Sequence, residues 1–244
     1  AINEAIKNAK EHADNENYNT AFSYWEDAAE LGSEEAMIAI ADCYFYGRGI
    51  EKDLEQAVHW YEKVADNDNT TAMYNIGVCY MQNSDICDYD KAIEWITLAA
   101  EHGHTTAQYT LGQLYLNGNG TIVALNPNKG IEWLSKAADN GNNDAAYVIA
   151  TFLNHSGEKV SAVEWYKKGA MSGNTDAQHD LGVYYFNGWG GLEQDRETAA
   201  SWYQRAANNG HEGAIMKLAD CYENGWGVEK DRKHAKELRA SVEQ

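Results

Sequence analysis

Two histidines separated by a single glycine, His102 and His104, are the side chains whose type and spacing most suggest a metal ion. They straddle the end of a helical stretch with no third ligand near them, whereas a zinc site needs three or four, so the pattern reads as a capping turn. Asp66-Asn67-Asp68-Asn69 offers oxygen ligands but lacks the downstream Glu of a calcium loop. Gly47-Arg48-Gly49 and Gly118-Asn119-Gly120 have the look of phosphate-cradling loops, yet a dinucleotide fingerprint follows a strand, and none is readable here. Asn69-Thr70-Thr71, Asn119-Gly120-Thr121 and Asn154-His155-Ser156 match glycosylation acceptors only as three-letter patterns in an Asn-rich chain. No Ser-His-Asp or Cys-His arrangement stands out. The expectation is a protein with no catalytic residues, no metal and no cofactor, so not an enzyme.

Charge narrows the partners. The 244 residues carry 19 Lys and Arg against 38 Asp and Glu, a formal charge of −19. That surplus argues against a nucleic-acid face, which needs clustered basic residues, and against docking on an anionic membrane. No run of about 18 apolar residues is present, so membrane insertion is not expected. Sixteen Tyr, eight Trp and four Phe argue against wholesale disorder.

The elements that position these side chains are set by repetition. Ala57-Val58-His59-Trp60-Tyr61 returns as Ala92-Ile93-Glu94-Trp95-Ile96, Ala162-Val163-Glu164-Trp165-Tyr166 and Ala199-Ala200-Ser201-Trp202-Tyr203. Gly130-Ile131-Glu132-Trp133-Leu134 has Gly in the first slot, and Ala21-Phe22-Ser23-Tyr24-Trp25 has Tyr in the Trp slot. The slot steps by 32 to 38 residues across positions 24, 60, 95, 133, 165 and 202. A second string keeps the same step: an Ala, then four residues on Ile40, Ile76, Leu111, Ile149, Leu181 or Leu218, each followed by Gly or Ala. Spacings of i, i+4 and i+7 put the large residues of each string on one helical face, and the small residue lets a neighbouring helix come close. Gly or Asn follows most Trp helices, supplying the left-handed residue of a helix C-cap, which is why turns abound while Pro127 is the only proline.

The Leu-Gly helices run into loops such as Gly47-Arg48-Gly49 and Gly225-Trp226-Gly227, with an Asp placed to N-cap the next helix. Copies two and four lose the Gly-x-Gly, so their connections should differ in shape. The count comes to seven helix pairs in one all-α, right-handed superhelix spanning 1–244 as a single domain. Repeats occupy about 33–230, and polar capping helices are expected at 2–14 and 231–242.

The string A-x-x-x-L-G-x-x-Y-x-x-G-x-G-[VI]-x-x-D-x-x-x-A-x-x-W-Y-x-x-A-A resembles the Sel-one-like repeat, a relative of the tetratricopeptide repeat. The resemblance implies an α/α solenoid acting as a scaffold or adaptor for another protein. Members occur in eukaryotic protein-degradation complexes, in bacterial signalling and virulence proteins, and among immunity proteins that neutralise effectors. The family has no shared catalytic residues to transfer.

By analogy with tetratricopeptide repeats, the first helix of each pair lines a concave binding face. Two residues before the Leu slot, the copies hold Tyr74, Tyr109, Tyr147 and His179; two after, Asp42, Gln113 and Asp220; five after, Phe45, Phe186 and Glu223. Three successive tyrosines would form a ladder with large contact area and little side-chain entropy, unless they only pack between repeats. Trp189 and Trp226, between glycines, are either interface anchors or folded back over their own helix pair. The expected function is a monomeric, non-enzymatic scaffold that holds a protein with a basic surface. A toxin-neutralising immunity protein and a glycan platform built on the tyrosines are the alternatives.

Some cysteine-rich members clamp each pair with a disulfide. Here Cys43, Cys79 and Cys221 share one apolar slot and read as packing. Equivalent residues lie about 10 Å apart, beyond the roughly 7 Å that a disulfide spans, so Cys43 and Cys79 are not expected to be joined. Cys87 falls in an irregular connection and is expected to be exposed. Unpaired thiols favour the cytoplasm. Because the chain starts at Ala1, a lost leader keeps the bacterial periplasm and secretion as alternatives.

Overall fold

The computed structural model describes residues 1–65, 69–82, 87–118 and 123–242. They form fourteen helices and no strand. The chain divides into two compact units, Ala1–Pro127 and Asn128–Gln244.

In the first unit the order is α1 (Ile2–Asp14), α2 (Tyr18–Glu30), α3 (Glu34–Tyr46), α4 (Leu54–Ala65), α5 (Thr70–Gln82), α6 (Tyr89–Glu101) and α7 (Thr105–Asn117). Each packs on the next along the chain. The second unit holds α8 (Pro127–Asp139), α9 (Ala145–His155), α10 (Lys159–Met171), α11 (Thr175–Asn187), α12 (Arg196–Asn208), α13 (Glu212–Asn224) and α14 (Arg232–Val242). There α9 to α14 pack in the same sequential way. The two repeated strings fall where helical spacing puts them, the Leu-Gly string on α3, α5, α7, α9, α11 and α13 and the Trp string on the intervening helices.

Caps explain why the helices start and stop at these points. Ser33, Asp88, His104, Asn174, Asp195 and His211 each accept a bond from an amide in the first turn of the helix that follows. Gly47, Gly188 and Gly225 close α3, α11 and α13 in the left-handed conformation, φ +69°, +67° and +75°. The core is the Leu slot with its alanines: Ile40, Ile76, Leu111, Ile149 and Leu181 are wholly buried. Tyr61, Tyr166 and Tyr203, which follow the Trp slot, are buried against them. Gly182 is a place where the small residue is obligatory, because a Cβ there would meet the Tyr203 ring at 2.6 Å.

The second glycine of the Gly-x-Gly loops has a separate task. A methyl on Gly227 would fall inside the backbone of Arg196, the first residue of α12. The same close approach joins Gly190 to Lys159 at the start of α10, and Gly49 to Tyr18 at the start of α2. Each such loop therefore seats on the second helix of the preceding pair.

Candidate functional site

In the first unit the marked residues sit on α3, α5 and α7, partly exposed. Asp42 accepts the Tyr61 hydroxyl at 2.5 Å. Burial raises its pKa above the ordinary carboxylate range, while the Tyr61 bond and the Arg48 charge pull it back. The same burial, reinforced by the Asp42 carboxylate, holds the Tyr61 phenol protonated. Phe45 packs edge-on to Tyr46 at 4.8 Å. Tyr74 stacks on His104 at 4.9 Å and 22°, and its Oη lies 3.5 Å from the Thr110 hydroxyl. Gln113 Nε2 donates to Tyr109 Oη at 3.0 Å, so two of the named side chains are joined.

His104 is a cap, as the sequence suggests: its Nδ1 accepts the Ala107 amide at 3.1 Å. The His102 ring lies against the Leu98 carbonyl at 2.9 Å. Among the described residues no group of three or more His, Cys, Asp or Glu is arranged to hold a metal. Asp66–Asp68 of the acidic turn, and Asn119–Thr121 of the third connection, lie outside the described residues.

The second unit repeats the stacking in another form. His179 stacks on His211 at 4.7 Å and 13°, and its Nδ1 lies 2.9 Å from Asp180. His211 Nδ1 accepts the Ala214 amide at 3.0 Å, so in neutral histidine Nε2 carries the proton and points it at Asp176, 3.1 Å away. Tyr147 lies 6.2 Å from Tyr166, and burial together with Asp180 pushes its pKa up to about 12.

Asp220 and Glu223 are both held by one guanidinium: Arg239 Nη2 reaches them at 2.8 and 2.6 Å. Asp220 and Arg239 stand 19 residues apart, the same spacing as Asp42 and Tyr61. The three acids marked for a partner are thus each engaged within the chain.

Trp226 reaches the preceding pair: it packs edge-on to Phe186 at 5.4 Å, and the Arg196 guanidinium lies 5.5 Å from each ring. Trp189 packs edge-on to Tyr184 at 5.8 Å beneath the Lys159 ammonium, and stays 41% exposed. Cys43, Cys79 and Cys221 are buried, as packing residues, and Cys87 is exposed. Burial pushes the Cys79 thiol up to about 12.

Paired helices repeating a Leu-Gly face and a Trp face, with glycine caps between, define a helical-hairpin repeat protein of the tetratricopeptide type. The chain belongs to the Sel1 repeat family: Sel1 repeats match residues 15–33, 34–69, 70–104, 105–142, 157–174, 175–211 and 213–238. Proteins of this family are generally protein-interaction scaffolds and typically non-catalytic.

A Sel1 repeat protein from Oxalobacter formigenes shares the fold at a TM-score of 0.74 and 29% identity, over 98% of both chains. The protective antigen c5321 of uropathogenic Escherichia coli superposes at 0.72 and 25% identity, over all of this chain and 57% of its own. The ERAD-associated E3 ubiquitin-protein ligase component HRD3B of Arabidopsis thaliana is 41% identical over 64 residues. That segment is 26% of this chain and 11% of the plant protein. No helix among the described residues is long and apolar enough to cross a membrane.

Proposed function

We propose that the chain is a non-enzymatic interaction scaffold that holds a partner protein on the exposed faces of its Leu-Gly helices, α3, α5 and α7 in the first unit and α9 and α11 in the second. One observation carries this reading. Tyr74, Tyr109, Tyr147 and His179 remain partly exposed, whereas Ile76, Leu111, Ile149 and Leu181, two residues further on, are wholly buried. Aromatic side chains kept at the surface at equivalent positions supply contact area at low entropy cost. The Arabidopsis relative, by its name a component of a ubiquitin-ligase assembly, agrees with an adaptor role.

The test is capture of bound proteins on wild-type chain and on a Tyr74→Ala, Tyr109→Ala, Tyr147→Ala variant, with thermal melts of both. The reading expects the variant to lose its partners and melt within a few degrees of wild type. Unchanged capture with a large drop in melting temperature would assign the tyrosines to packing instead. Sedimentation at the 27.2 kDa monomer mass is expected in the absence of partner.

A further inference from the structure

Between α11, α12 and α13 the second unit has a pocket of about 120 Å³. Val183, Phe186, Tyr203, Cys221 and Trp226 form its apolar part, and Lys217 and Asp220 contribute its charges. By volume it holds roughly four waters, which is the room one branched or aromatic side chain takes. The glycine-held loop fixes one wall by seating Trp226 on Phe186.

The charges around it are not balanced. Asp220 and Glu223 share the single positive charge of Arg239, which leaves that trio one negative charge. Lys217 makes no ion pair among the described residues, nor does Arg196, whose guanidinium lies over Phe186 and Trp226. Fields of both signs reach the pocket: burial and the Asp220 carboxylate push the Cys221 thiol up to about 11, while Lys217 and Arg196 each pull it down. An acidic chain thus carries a side-chain-sized apolar pocket flanked by two unspent positive charges, one from α12 and one from α13.

We propose that this pocket seats a single large apolar side chain of a partner segment, with acidic residues beside it meeting Lys217 and Arg196. The inference rests on the scaffold reading and specifies its partner at this end, where two cations without an ion pair among the described residues flank the pocket of a chain whose net charge is −19. Burying the apolar side chain anchors the segment, and the two cations select its neighbours, so a basic segment with the same anchor is rejected.

A phage-displayed library of random nine-residue peptides, panned on the intact protein, tests it. Enriched peptides are expected to share one Leu, Ile, Met or Phe flanked by Asp or Glu. Synthetic copies should bind at least tenfold more weakly to a Lys217→Glu, Arg196→Glu variant, and equally so to Val183→Phe, which fills the pocket. Thermal melts of both variants separate loss of binding from loss of fold, and Lys217→Glu alone, at an exposed position, should still weaken binding several-fold. Enrichment of basic flanks, no shared pattern, or binding indifferent to Val183→Phe in a folded protein would overturn the assignment. The tyrosine variant fails or succeeds independently, so loss of the pocket proposal leaves the scaffold reading standing on its own experiment.

Discussion

His104 shows how a side chain that looks like a ligand is consumed by the fold. Its Nδ1 lone pair caps α7, its ring stacks on Tyr74, and burial lowers its pKa below the usual histidine value. The unfolded chain then binds this proton more readily than the folded one, so stability rises with pH across the window. The contribution is complete above about pH 6.5 and is lost as the pH falls through that value towards the lowered folded pKa. His104→Asp keeps a cap acceptor without that titration. Urea denaturation from about pH 7 to about pH 5 should give a shallower loss of stability in the variant than in wild type. Equal slopes would remove His104 as the cause. The spacing of His102 and His104 carried the capping turn, but not the stack on Tyr74, which joins residues 30 positions apart, one on α5 and one at the N-cap of α7.

At the scale of the helix and its loop, Gly225 and Gly227 look alike in sequence and do different work. Both have positive φ, +75° and +73°. A Cβ on Gly225 finds ordinary contact distances, the nearest being Lys230 Cβ at 3.5 Å, whereas on Gly227 it enters the Arg196 backbone. Gly225→Ala should therefore cost about 1 kcal/mol from conformation alone, and Gly227→Ala clearly more. Chemical denaturation would read the order, and a change in tryptophan emission is expected for Gly227→Ala alone because Trp226 must leave Phe186. The reverse order would refute this account. In sequence both glycines fall in a loop, with caps expected only after the Trp helices. The cap at Gly225 is a local pattern that closes α13, whereas the contact of Gly227 is beyond local reading, since its partner belongs to the previous repeat. For the same reason Trp226 was expected either free or over its own pair, and it reaches the pair before.

For the molecule as a whole, periodicity told most of the architecture. Six copies of two strings placed the helices and the buried Leu slot, because the spacing of core residues on a helix is written directly in the chain. The candidate interaction residues were less legible. Asp42, Asp220 and Glu223 read as free acids, yet Tyr61 and Arg239, each 16 to 19 residues downstream, engage them. Lys217 and Arg196 drew no notice, since only a pocket gives two unpaired cations a common meaning. The charge of −19 nevertheless acts at a distance that pairing of three acids does not erase. Encounter with a partner whose overall surface is basic should be steered, and its association rate should fall severalfold as sodium chloride rises from about 0.01 M to about 0.15 M. A rate indifferent to salt in stopped-flow measurements would rule out steering.

The seating of the Gly49, Gly190 and Gly227 loops on the pairs before them gives those repeats a polarity. In the second unit, Phe186 and the first turn of α12 are finished by residues that arrive only with α13 and its loop. Stripping helices from the carboxyl side would be felt one repeat inward, as an unshielded Phe186 and a loosened α12. During synthesis the same asymmetry makes a repeat that brings such a loop the one that locks its predecessor, so consolidation there trails chain growth by one repeat.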